Sequence, residues 1–312
     1  MDFEALFSIS QTALELGLVN ALTVLALFLS YSMLNVCDLS TDGSFTLGMA
    51  VGALVALSGH PWLSLLAAML AGAASGFVTA TLQTRMGVQS LLAGIVMNTG
   101  LYSVNMALTG NKAALNLNKT PTVFTIAKEA LRDTPFARQY TLIVLLVAVA
   151  LAVLFLTWFL RTKMGLAIRA TGSNPDMVRS SSINPSFTTT VGLTVSNALT
   201  ALSGCLMGQQ QKGFEINKGS GMVTVALASL LIGGIIFSKH RPLPLRLIGA
   251  VLGAFLFRLV YALALRLNMP AFMLKAVSSL IVIIALSGAY FRGKLSYYIK
   301  RRAHGKGGPA HA

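Results

Sequence analysis

Nine runs of mostly apolar residues recur from one end of this chain to the other, at 14–36, 45–58, 63–84, 91–108, 140–160, 188–207, 221–237, 247–265 and 274–291. A helix needs ~20 such residues to cross a lipid bilayer, and most of these runs are of that length or slightly shorter. A soluble fold is excluded, because charged residues make up only 11% of the chain where soluble domains carry about a quarter. Disorder is excluded too, since 55% of the 312 residues are hydrophobic and they are spread along the whole length. The expected fold class is therefore an all-α polytopic transmembrane bundle of about nine spans, within a range of eight to ten. The second and seventh runs are short and glycine-led, so one or both read as broken or re-entrant. Residues 1–291 form the membrane domain, 161–187 a polar loop inside it, and 292–312 a basic tail.

The charge balance then sets orientation. Lys and Arg outnumber Asp and Glu by 24 to 9, for a net charge of +15. In a soluble protein that excess points to nucleic acid. Here the basic residues cluster between apolar runs and at the C-terminus, so membrane lipid and the cytoplasm are the expected partners and nucleic acid is not. The tail (Arg292, Lys294, Lys300, Arg301, Arg302, Lys306), the loop with Lys239, Arg241 and Arg246, the loop with Arg161, Lys163, Arg169 and Arg179, and the turn at Arg85 all fall on one side when nine spans are counted. The positive-inside rule makes that side cytoplasmic. The N-terminus, with Asp2, Glu4 and Glu15, and the segment 109–139 are then outside. The start has no basic n-region, so no cleaved signal peptide is expected.

Four pairs of glycines stand four residues apart: Gly48/Gly52, Gly72/Gly76, Gly204/Gly208 and Gly249/Gly253. Such pairs let helix backbones approach closely, and mark either plain packing or a moving seam. Asp42-Gly43-Ser44 and Lys218-Gly219-Ser220-Gly221 enter the membrane from opposite faces. They read equally as the interrupted helices of an inverted repeat or as two ordinary turns. Arg258 falls near mid-membrane, where an arginine must face protein or water. It reads as a contact to a transported carboxylate or as a structural bond to a neighbouring broken helix. Asp38 and Asp42 read as a cap and turn.

From Arg161 the longest inside loop runs RTKMGLAIRATGSNPDMVRSSSINPS. It is too polar to insert. Asn174-Pro175-Asp176 opens a short helix, with Pro suited to the first turn and Asp to the positive end, and Pro185 closes the segment. Such a helix either receives force from a soluble partner or is an ordinary basic loop. No G-x-x-x-x-G-K-[ST] phosphate loop occurs, so ATP hydrolysis by this chain is not expected. No acidic or histidine relay runs through the spans, no carboxylates cluster as a metal-dependent enzyme needs, and neither Cys37 nor Cys205 belongs to a metal-ligand spacing. Neither catalysis nor a metal site is expected.

With that loop in view, the chain resembles the permease subunits of bacterial ATP-binding-cassette importers of the branched-chain amino acid and ribose type. Residues 162–183 are similar to the family's coupling motif, with Gly165, Arg169, Ala170, Gly172, Asn174 and Pro175 at matching places and Asp176 beside them. DLSTDGSFTLG (38–48), AGIVMNTGLYSVNMALTG (93–110), ALSGCLMGQQQKGFEINKGSGM (201–222) and FRLVYALALRLNMPAFMLKAVSSLIV (257–282) resemble a subgroup paired with tryptophan- or tyrosine-type binding lipoproteins. Two stretches depart from that subgroup: Glu215-Ile216-Asn217-Lys218-Gly219 replaces an acidic residue followed by a Met-Gly turn, and Gly233-Gly234 replaces Gly-Glu.

The resemblance implies a permease in the bacterial cell membrane, working as a homodimer with a separate ATPase subunit inside and a substrate-binding lipoprotein outside. ATP and magnesium would sit on the partner, and this chain would bind no cofactor. The cargo would be a small organic solute, aromatic amino acids first. Ser44, Asn98, Asn105, Asn197 and Arg258 would line the pathway. Gln210, Lys212 and Glu215, together with the loops 109–139 and 208–219, would meet the binding protein. A lone ion-coupled carrier would instead need Glu15, Asp38 or Asp42 as its ion site, and an intramembrane enzyme on lipid-linked substrates would need a carboxylate or histidine constellation.

Overall fold

The computed structural model describes residues 3–132, 139–237 and 241–266, with helical residues 276, 279–284 and 287 beyond them. The ninth predicted run at 274–291 falls largely outside the described residues, and Lys239 and the tail 292–312 fall wholly outside them.

Six described helices are long and apolar enough to cross a membrane. The first is α1 (Phe3–Leu27), which runs directly into a π-helical turn at Phe28–Met33. The others are α3 (Pro61–Thr84), α4 (Ser90–Leu108), α6 (Tyr140–Phe159), α9 (Pro185–Gln210) and α11 (Leu243–Arg266), with α2 (Thr41–Leu57) between α1 and α3. Both α2, at 17 residues, and α10 (Met222–Ile236), at 15, are apolar and shorter than a full span. They are the two runs that the sequence marks as short. Two small helices, α7 (Lys163–Ser173) and α8 (Pro175–Ser180), occupy the polar loop. At the other end α5 (Val123–Ala130) follows a strand, β1 (Ala114–Asn116), that pairs with β2 (Gly213–Glu215).

Helices α1 and α9 form the interior, with 78% of their apolar windows buried against 22% for α4 and α6. Lipid is as apolar as leucine, so close approach and polar bonds must hold α1 to α9. Ser203 donates to the Val19 carbonyl (2.7 Å), Ser196 to the Ala26 carbonyl (2.7 Å), and Thr23 to the Ser203 hydroxyl (2.9 Å). Between the other helices the glycine pairs supply close approach. A Cβ at Gly48 would overlap Ala201, at Gly72 the Asn197 carbonyl, at Gly76 the Leu193 carbonyl and at Gly204 the Phe45 carbonyl. Gly253 lies in the same way on α10, at the Ser229 carbonyl. All four predicted pairs thus face neighbours inside the chain, with α9 the common partner of α2 and α3.

Candidate functional site

The two short helices, α2 and α10, meet at their N-terminal ends at Asp42. Its carboxylate accepts from the backbone N–H of Gly221 (2.9 Å) and of Val223 (2.8 Å), capping α10 from the first turn of α2. Gly219 packs against the Asp42 carbonyl and the Thr46 hydroxyl, where any side chain would overlap them. Gly221 has φ +87°, which suits glycine. The two glycine-led turns of the sequence are therefore one junction, and Asp42 serves a helix about 180 residues further along the chain as well as its own.

Polar groups gather around this first turn of α2. Asp38 is buried and accepts from the Ser40 N–H (2.9 Å), the Ser40 hydroxyl (2.6 Å) and the Asn197 amide (2.7 Å). Ser44 and Ser75 of α3 share a hydroxyl bond of 2.7 Å. From α4, the Asn105 amide reaches the Gly43 carbonyl at 3.5 Å, and its buried Oδ1 has no partner. Asn98, half-buried, stands two turns away on α4 against the same glycine. Four of the five predicted pathway residues, Ser44, Asn98, Asn105 and Asn197, thus surround one break in the helical framework. Unwound backbone at such a break offers N–H and C=O groups to a polar solute. Arg258 does not join them. Its guanidinium lies on the Asn20 side chain of α1 and 5.4 Å over the Tyr261 ring, on the α1–α11 seam.

At the opposite end from the strands, α7 and α8 hold the loop residues. Thr162 caps α7 through the Gly165 N–H (3.3 Å), and Asn174 caps α8 through the N–H groups of Asp176 and Met177 (both 3.1 Å). Pro175 takes the first position of α8. Gly165 is buried against the last turn of α6, at Phe159 and Leu160, and Gly172 against Met33 and Leu34 where the π-helical turn ends. These glycines face the bundle, while Arg169, Asn174, Pro175 and Asp176 are exposed and Ala170 is half-buried. Exposed apolar side chains stand beside the caps: Leu166 at 54%, Met177 at 55% and Ile183 at 37%. The sequence reading passes over these three, and also over α7 as a helix. Its starting cap, Thr162-Lys163-Met164-Gly165, is legible only as a weak N-cap.

At the strand end, β1 and β2 join the loops 109–139 and 208–219 into one ribbon, with Ala114 opposite Glu215, Leu115 opposite Phe214 and Asn116 opposite Gly213. Lys212 and Glu215 are exposed on it. Gln210 turns inward and donates to Glu15 of α1 at 3.3 Å. Gln209 ties the ribbon end together, accepting from the Val123 N–H of α5 (2.8 Å) and donating to Ser64 of α3 (2.6 Å). Among the described residues no three His, Cys, Asp or Glu side chains gather as a metal site.

Membrane-length helices around a polar break, with two small exposed helices at one end and a ribbon at the other, define the class as a multi-pass membrane transport protein. The chain belongs to the family described as the branched-chain amino acid transport system permease component, which matches residues 11–286. It is 28% identical over 286 residues to the tyrosine transport system permease protein of Clostridioides difficile, covering 91% of each chain. It is 26% identical over 306 residues to the autoinducer 2 import system permease protein LsrC of Yersinia enterocolitica, covering 96% of this chain and 77% of that one. No solved structure matches significantly. The protein is accordingly the permease component of an ATP-binding-cassette importer, a transport subunit and not an enzyme. It is a multi-pass inner-membrane protein whose system includes an ATPase and a substrate-binding partner.

Proposed function

We propose that this permease carries a small organic solute inward, with an aromatic amino acid as the first candidate. The tyrosine permease, aligned over nine-tenths of both chains, supports that choice of cargo. In this reading the ribbon faces the extracytoplasmic side and receives a binding lipoprotein on Lys212 and Glu215. Helices α7 and α8 face the cytoplasm and dock a separate ATPase subunit, which holds the ATP and magnesium. A second copy of the chain completes the pathway. The solute passes the break at Asp42, where Ser44, Asn98, Asn105 and Asn197 offer polar groups. Arg258 braces α11 against α1.

The observation that carries the reading is the way α7 is wired. Gly172 seats α7 on the π-helical turn of α1, and the Thr171 and Thr188 hydroxyls bond at 2.8 Å across to the first turn of α9. A push on the exposed face of α8 therefore reaches both interior helices at once. Packed interfaces of this kind are bistable, so a small displacement selects between inward-open and outward-open arrangements. The test is co-purification of the tagged chain with its ATPase from native membranes. Met177→Asp should remove the ATPase while leaving the permease folded, because Met177 is exposed. Equal recovery of the ATPase with both chains would overturn the docking assignment.

A further inference from the structure

Beside α7 lies a cavity of about 820 Å³, walled by the π-helical turn, α7, the second half of α10 and the first part of α11. Two arginines from distant parts of the sequence, Arg169 of α7 and Arg246 of α11, line it, and among the described residues no carboxylate does. The one ion pair among the described residues is Lys218–Glu215, at the ribbon end, so neither arginine has an acidic partner there. Arg246 is held over the Phe28 ring at 5.2 Å, which fixes the direction from which it presents its charge. Two guanidinium groups on one cavity repel each other unless an anion sits between them. The planar, forked donors of arginine match phosphate oxygens in particular.

The rest of the lining is mixed: Tyr31, Ser32, Asn35 and Ser173 bring polar groups to it, and Leu230, Leu231 and Ile235 of α10 give it an apolar wall. Outside it, Ile236 of α10 and Ile248 and Leu252 of α11 are exposed, the last two one helical turn apart. Arg246 lies in the first turn of α11, the fourth residue of a membrane-length segment. A basic pocket between transmembrane helices at the membrane interface, with an apolar surface leading away from it, suits a headgroup with its acyl chains. We infer that this cavity is a binding site for the phosphate group of an anionic phospholipid, clamped between Arg169 and Arg246. The lipid would wedge α7 against α10 and α11 and so stabilise one setting of the small helices. The binding itself stands whether or not α8 docks an ATPase.

The experiment uses the full-length chain, purified in mild detergent and loaded with phosphatidylglycerol, with bound lipid counted by native mass spectrometry. The Arg169→Gln/Arg246→Gln double variant should hold phosphatidylglycerol about tenfold more weakly, in line with the loss of charge-assisted bonds. Arg161→Gln, which alters another cytoplasmic-loop arginine outside the cavity, should leave binding unchanged, as should an excess of inorganic phosphate. If the double variant is not recovered folded, Arg169→Gln alone, at an exposed position, should give the same direction of change. Equal lipid retention by wild type and variants would overturn the site. Displacement of the lipid by inorganic phosphate would overturn the lipid assignment in favour of a soluble phosphate ligand.

Discussion

Asp42 joins two distant parts of the chain, since its carboxylate caps the start of α10 while standing in the first turn of α2. Removing it leaves the Gly221 and Val223 N–H groups without an acceptor in a part-buried place, a loss of about 1–3 kcal/mol. Asp42→Ala should lower the thermal unfolding midpoint in detergent and abolish uptake, and Asp42→Asn, which keeps one acceptor oxygen, should fall between. The glycines divide the same way. Gly48→Ala drives a methyl group into Ala201 and should cost about 1–3 kcal/mol by overpacking. Gly100→Ala, which meets nothing within 4 Å, should leave unfolding unchanged; a comparable loss at both positions would contradict the packing account. The glycine pairs are legible in the sequence because four-residue spacing marks one helix face. The role of Asp42 is not, because nothing local links it to a turn about 180 residues away. Arg258 reads in the sequence either as a pathway residue or as a structural one, and its guanidinium lies on the Asn20 side chain of α1.

At the scale of elements, apolar run length places seven described helices to within about four residues, α1 begins eleven residues before its run, and α2 and α10 declare themselves by falling short. The loop between α6 and α9 is less legible. Its caps are visible, yet α7 is a helix whose apolar residues are divided between the bundle and the surface, so it shows no long apolar run. The two glycines in that loop behave unlike the exposed residues around them. Gly165→Asp would place a side chain inside the last turn of α6 and should prevent folding, seen as loss of a monodisperse peak in size-exclusion chromatography. Asp176→Ala on α8 should fold normally, because Asn174 supplies the cap oxygen. A monodisperse Gly165→Asp protein would contradict the corner geometry.

Across the whole molecule the ribbon and the small helices mark opposite ends of the bundle, and the proposed topology puts them on opposite sides of the membrane by the positive-inside rule. A cysteine at Lys212 should react with a membrane-impermeant maleimide in intact spheroplasts. A cysteine at Asp176 should react only after permeabilisation, and the reverse pattern would invert the proposed topology. The ribbon lies beyond sequence reasoning, since its strands are three residues each and nearly a hundred positions apart. In the proposed function this bundle moves solute only when an ATPase drives it. Uptake of labelled tyrosine into proteoliposomes holding the permease, its ATPase and its binding protein measures that directly. Uptake is expected with ATP on the ATPase side, and none when ATP or the ATPase is left out. Equal uptake by the permease alone, driven by an ion gradient, would contradict it.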